Sequence, residues 1–153
     1  MGAESRFYAH ADADIARLIC DGPKGTEIGN VVSRFDLGRD FHILHYLISG
    51  RVDADDSPAT LILAGPQLAE CSEHCGLHTA DRINAFHLVL DALSPDDLVR
   101  RIDANMMLAN NVYHAEFAAD KTGRDGIRQR YLDLRCFIAK CADNGLGAIV
   151  TVC

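Results

Sequence analysis

Apolar residues recur at spacings of three and four over Leu37, Phe41, Leu44, Leu47 and Ile48, which predicts a helix over 37–48 with one buried face and Gly50 as its C-cap. The same period in Ile83, Phe86, Leu90 and Leu93 predicts a helix over 80–93 behind an N-cap at Thr79. Ile127, Tyr131, Leu134, Ile138 and Cys141 predict a long amphipathic helix over 123–142, which Asn144 and Gly145 are suited to end. Two segments have strand character: the aromatic run RFYAH at 6–10 and the β-branched run AIVTVC at 148–153. After the first, Asp12 is placed to cap a helix carrying Ile15, Leu18 and Ile19.

Shorter elements fill the intervals. Residues 20–30, rich in Gly and Pro, read as a surface loop, and the polar turn 53–58 caps a short helix over 59–64 that Gly65 and Pro66 stop. Residues 67–78 are ambiguous, because Gly76 argues against a long helix. Ser94 and Pro95 start another helix reaching about Arg101, and 103–108 form one more helical turn before the polar Asn110 and Asn111 and the aromatic pair Tyr113 and Phe117.

The chain has 153 residues, 48% hydrophobic and 24% charged, which suits one globular core, so residues 1–153 are expected to form a single domain. Fifteen Lys and Arg against 22 Asp and Glu give a net charge of −7, a field that repels phosphate backbones and anionic membranes and favours a basic protein partner. Nucleic acid and membrane are therefore not expected as partners. No apolar run is long enough to span a bilayer, and the first ten residues lack a signal-peptide core, so a cytoplasmic location is expected. The six cysteines are irregularly spaced and read as reduced thiols.

The segment FDLGRDFHILHYLISG at 35–50 resembles the hallmark helix of YfbM-like bacterial proteins of unknown function: an Asp-Leu entry, an aromatic, a Leu-His pair and a closing small-Gly. The start MGAESRFYAHADADIARL and the end ADNGLGAIVTV resemble that family's first strand and helix and its terminal strand. Two positions depart from the pattern, Phe41 where Trp is expected and Tyr113-His114 where Tyr-Pro is expected. The resemblance implies an α+β fold: a small mixed or antiparallel sheet that includes both terminal strands, packed by about five to six helices. Over 67–78 it implies an irregular loop leading into a strand. It implies no activity and no cofactor.

Two constellations carry candidate chemistry. Asp36, Arg39, His42 and His45 cluster on or before the hallmark helix and, with Tyr113 and His114, form the candidate binding set; no catalytic residue is assigned, because no nucleophile is placed beside either histidine. A bland reading has His45 satisfying backbone groups under the sheet while His42 faces water. Cys71, His74, Cys75 and His78 offer thiolate and imidazole, the ligands of tetrahedral zinc, but all four fall within eight residues, whereas zinc motifs join two separated pairs. No metal and no cofactor are therefore expected.

A compact acidic domain without a coherent catalytic set is most simply a non-enzymatic protein-binding module. One concrete form is an immunity- or antitoxin-type inhibitor of a basic toxin domain, steered by Asp53, Asp55, Asp56, Asp96 and Asp97. The alternative is a small-ligand binder or hydrolase-like enzyme with a pocket around His45 and Arg39.

Overall fold

The computed structural model describes residues 2–22, 30–68 and 74–153. Its order is β1 (Ser5–Ala11), α1 (Asp12–Asp21), β2 (Ser33–Gly38), α2 (Phe41–Ser49), a 3-10 helix (Pro58–Leu63), β3 (His74–His78), α3 (Ala80–Asp91), α4 (Pro95–Arg100), α5 (Ala104–Ala109), a 3-10 helix (Ala115–Ala118), α6 (Lys121–Asp143) and β4 (Leu146–Val152). The four strands form one antiparallel sheet in the order β2-β1-β4-β3, so the strands nearest the two ends of the chain are its central pair. The fold is α+β, with a sheet that includes both terminal strands, as the resemblance implies.

Alternation along β1 sends Phe7 and Ala9 to one face and Arg6 and Tyr8 to the other. On the first face Phe7, Ala148 and Val150 join the main core with Leu44 of α2, Phe86 of α3 and Ile138 of α6. The second face carries a smaller cluster in which Ile15 and Leu18 of α1 cover Cys75, Leu77 and Ile149. Tyr131, fully buried on α6, places its hydroxyl 2.6 Å from the Leu93 carbonyl and 3.1 Å from that of Leu90, tying α6 to the end of α3. No helix among the described residues is long and apolar enough to cross a membrane.

Ser94 and Gly50 cap their helices where the sequence puts them, and Asp103 adds a cap that the sequence reading did not name. Ser94 accepts from Asp97 N at 3.1 Å, Asp103 from Met106 N at 3.1 Å, and Gly50 ends α2 in the left-handed conformation at φ 71°. Two expectations need correction. Leu37 belongs to a strand rather than to the helix: β2 occupies Ser33–Gly38 and α2 begins only at Phe41. Asp12 does not cap α1; its carboxylate accepts from Ala80 N at 2.7 Å and caps α3, where Thr79 makes no side-chain cap. The loop expected over 20–30 lies largely outside the described residues.

Candidate functional site

The turn from β2 into α2 brings two of the candidate binding residues, Asp36 and Arg39, to one end of the sheet, where Tyr113 meets them. Asp36 Oδ1 accepts from Gly38 N at 3.1 Å, which braces the turn, and its other oxygen lies 3.7 Å from Arg6 Nε. Arg39 extends toward Glu4, with Nε 3.8 Å from Oε1. Arg6, Arg39, Glu4, Thr151 and Cys153 are among the walls of an open groove of about 460 Å³. Tyr113 stands behind Gly2, one of the groove's walls: its ring stacks on Phe41 at 5.6 Å, and its hydroxyl fills the space a side chain on Gly2 would take, with Arg39 Nε 3.4 Å from that point. Arg39 and Tyr113 are thus neighbours, with Asp36 close behind Arg6.

The histidines do not join them. His42 is a tether: its Nδ1 accepts from the Tyr113 backbone N–H at 2.8 Å, which leaves the proton on Nε2, and that N–H donates to the Val52 carbonyl at 3.0 Å. Both nitrogens are engaged, so the ring has no lone pair left for proton transfer, and it does not face water freely. His45 is completely buried, with Nε2 3.3 Å from the Asp53 carbonyl and no hydrogen bond at Nδ1. Burial first, then the neighbouring His42, pushes its pKa down to about 4. His45 and Arg39 therefore share no cavity: one is sealed in the core and the other lines the groove. Ser49, the serine nearest in sequence, donates to the His45 carbonyl at 2.6 Å and not to an imidazole.

His114 is not among the walls of the groove. It sits in the left-handed conformation at φ 64°, stacks on Phe117 at 5.1 Å and places Nδ1 3.3 Å from Glu116 Oε1. Beside it lies a group that the sequence reading missed, the buried carboxylate of Asp40 at the N-terminus of α2. Burial raises its pKa, opposed by the charges of Arg130 and His114. Its signal was present, since an Asp directly before an apolar helix is an N-cap candidate, but a helix drawn through Leu37 hid it.

Of the candidate zinc ligands, Cys71 lies outside the described residues. On β3, Cys75 faces the α1 cluster while His74 and His78 share the opposite face and lean over Gly76. Gln67 sets the tautomer of His74: its Oε1 accepts from Cys75 N at 3.0 Å, so its Nε2 donates to His74 Nδ1 at 3.1 Å and the His74 proton sits on Nε2. A metal at that nitrogen would require Gln67 to turn over and lose the Cys75 bond. Carbonyls of Ala64 and Leu61 face the His78 ring without reaching hydrogen-bond geometry, and burial pushes its pKa down to about 3. Among the described residues, no group of three or more His, Cys, Asp or Glu is arranged to hold a metal ion.

The acidic residues expected to steer a partner are partly neutralised. Asp96 pairs with Arg128 at 3.1 Å, Asp97 with Arg100 at 2.7 Å and Asp55 with Arg51 at 3.2 Å. A different surface stands out: Met106 and Leu108 of α5 and Phe117 of the Ala115–Ala118 helix are 53%, 49% and 42% exposed, and these two elements pack on each other. Exposed Asp103, Glu116 and Asp120 lie on the same stretch of chain.

A family model described as "Domain of unknown function (DUF1877)" matches residues 6–151. Among solved structures, the chain is similar to the crystal structure of a protein of unknown function, YfbM from Escherichia coli. The match has a TM-score of 0.67 and 16% identity over 98% of this chain and 99% of that one. No curated protein matches the sequence.

Proposed function

The chain belongs to the family described as a domain of unknown function (DUF1877), whose description assigns no reaction, and from that premise we propose that it is a non-enzymatic protein-binding module acting through the corner built by α5 and the Ala115–Ala118 helix. The observation that carries the reading is the exposure of Met106, Leu108 and Phe117 on two adjoining elements. Methionine and aromatic side chains are enriched in the cores of protein interfaces, and such side chains left in water are stabilised by a covering partner. The acids around them, Asp103, Glu116 and Asp120, with the net charge of −7, favour a partner with a basic rim. An immunity- or antitoxin-type inhibitor of a basic toxin domain has this chemistry. A cytoplasmic setting agrees with the free state of the five described cysteines.

The test is capture from a bacterial lysate by the wild type and by a Met106→Asp/Phe117→Ser variant, each at low and high salt. One stoichiometric polypeptide retained by the wild type at low salt, weakened by salt and lost with the variant, is the expected result. Identical capture by both proteins would overturn the reading.

The groove beside Arg39 supports a second reading, a small-ligand binder, since about 460 Å³ is within the range of ligand pockets. Its two arginines already face Glu4 and Asp36, so an anion entering it has ion pairs to displace. Saturable binding that Arg39→Gln abolishes would favour it.

A further inference from the structure

Among the described residues, the sheet is covered at one edge and open at the other. Alongside β3 runs the segment 66–68, where Leu68 N donates to Cys75 O at 3.0 Å, Leu77 N donates to Pro66 O at 2.9 Å and Gln67 bridges to Gly76. At the opposite edge β2 pairs with β1 alone among the described residues. In an edge strand every second residue directs its N–H and C=O away from the sheet, ready to pair. Asp36 is one of these, because its carbonyl accepts from Arg130 Nη1 at 3.2 Å, and Arg34, two residues earlier, shares its direction. A carbonyl has two lone pairs, so the Arg130 bond leaves that of Asp36 able to accept another.

The side chains of β2 are sorted as cleanly. Phe35 stacks on Phe137 at 5.4 Å and Leu37 is fully buried, while Arg34 and Asp36 are exposed on the other face. Read along the strand, the charges run positive, apolar, negative. That order is complementary to itself when reversed.

We propose that β2 pairs antiparallel with β2 of a second copy of this chain, about a two-fold axis at Phe35, joining two four-stranded sheets into one. In that register Arg34 stands opposite Asp36 of the other copy and Asp36 opposite its Arg34, in the positions where outward backbone groups also exchange hydrogen bonds. Self-complementarity selects a second copy over an unrelated peptide, because a two-fold contact must match its own surface reversed. Arg6 stays beside Asp36 on its own sheet, and the exposed Val31 and Val32, 49% and 59% accessible, lie directly before the strand. This surface is separate from the α5 corner and does not depend on it. A contact between two strands is small, so association is expected on the order of micromolar.

Sedimentation equilibrium over a range of concentrations tests it with the wild type, Arg34→Asp, Asp36→Arg and an equimolar mixture of the two variants. The wild type is expected to shift from monomer to dimer. Each single variant places like charges opposite one another and is expected to dimerise roughly tenfold more weakly. The mixture is expected to regain a dimer, since the two variants present complementary charges to each other. A wild type monomeric throughout, a dimer indifferent to either substitution, or a mixture that fails to recover would each overturn the proposal. Both side chains are exposed, and matched thermal melts of the variants verify that their fold is kept.

Discussion

The histidines of this chain serve the fold, and their burial sets its response to acid. His45 and His78 are fully buried, with pKa values pushed down to about 4 and about 3, below the unfolded value of 6.5. The unfolded chain therefore binds protons first as pH falls below 6.5, so stability is fully present above that value and is lost toward pH 4, by on the order of 1 kcal/mol per pH unit for each histidine. Chemical denaturation at pH 7 and pH 5 should show the lower stability at pH 5, and His45→Phe should reduce the difference; a flat profile would refute the assignment. His42 acts by geometry. His42→Ala leaves the Tyr113 N–H without its acceptor and should cost about 1–3 kcal/mol of stability, read as a lowered denaturation midpoint. Their types and spacing made these histidines candidates, but their roles are set by Val52, Asp53 and Tyr113, and the last of these is 71 residues from His42. That part of the site was not legible, because the partners are brought by tertiary structure.

Among the elements, local chemistry settled the start of α4 and the C-cap of α2, while the entry to α2 shows where it stops. Leu37 lies four residues before Phe41 and so fits a helical stripe, yet Arg34, Phe35, Asp36 and Leu37 also alternate polar and apolar. Pairing with β1 favours the second pattern, and Gly38 at φ 68° separates strand from helix. Asp12 teaches the same lesson, because its sequence neighbour is α1 while its hydrogen-bond partner is Ala80, 68 residues away. Asp12→Ala should destabilise the protein by about 1 kcal/mol through the lost α3 cap, with hydrogen exchange faster in the first turn of α3 than in α1. At the start of α6, Gly123 leaves no space for a side chain, since an added Cβ would overlap the Phe117 carbonyl. Gly123→Ala should therefore cost roughly 1–3 kcal/mol in a thermal melt, despite alanine's better helix propensity.

For the whole molecule, β1 and β4 were legible as an aromatic and a β-branched run, and their place in one sheet was legible because the hallmark segment resembled a known family. Function was less so. Asp55, Asp96 and Asp97, which looked free in the sequence, find arginines in the fold, whereas Met106, Leu108 and Phe117 gave no periodic signal and became conspicuous only by their exposure. The central claim is that this corner contacts a protein. The most direct measurement places a photo-crosslinking amino acid at Leu108 in living cells, with Leu88, 68% exposed on α3, as the control position. One adduct of defined mass from position 108 and none from position 88 is the predicted result; no adduct at 108, or the same adducts from both, would contradict it.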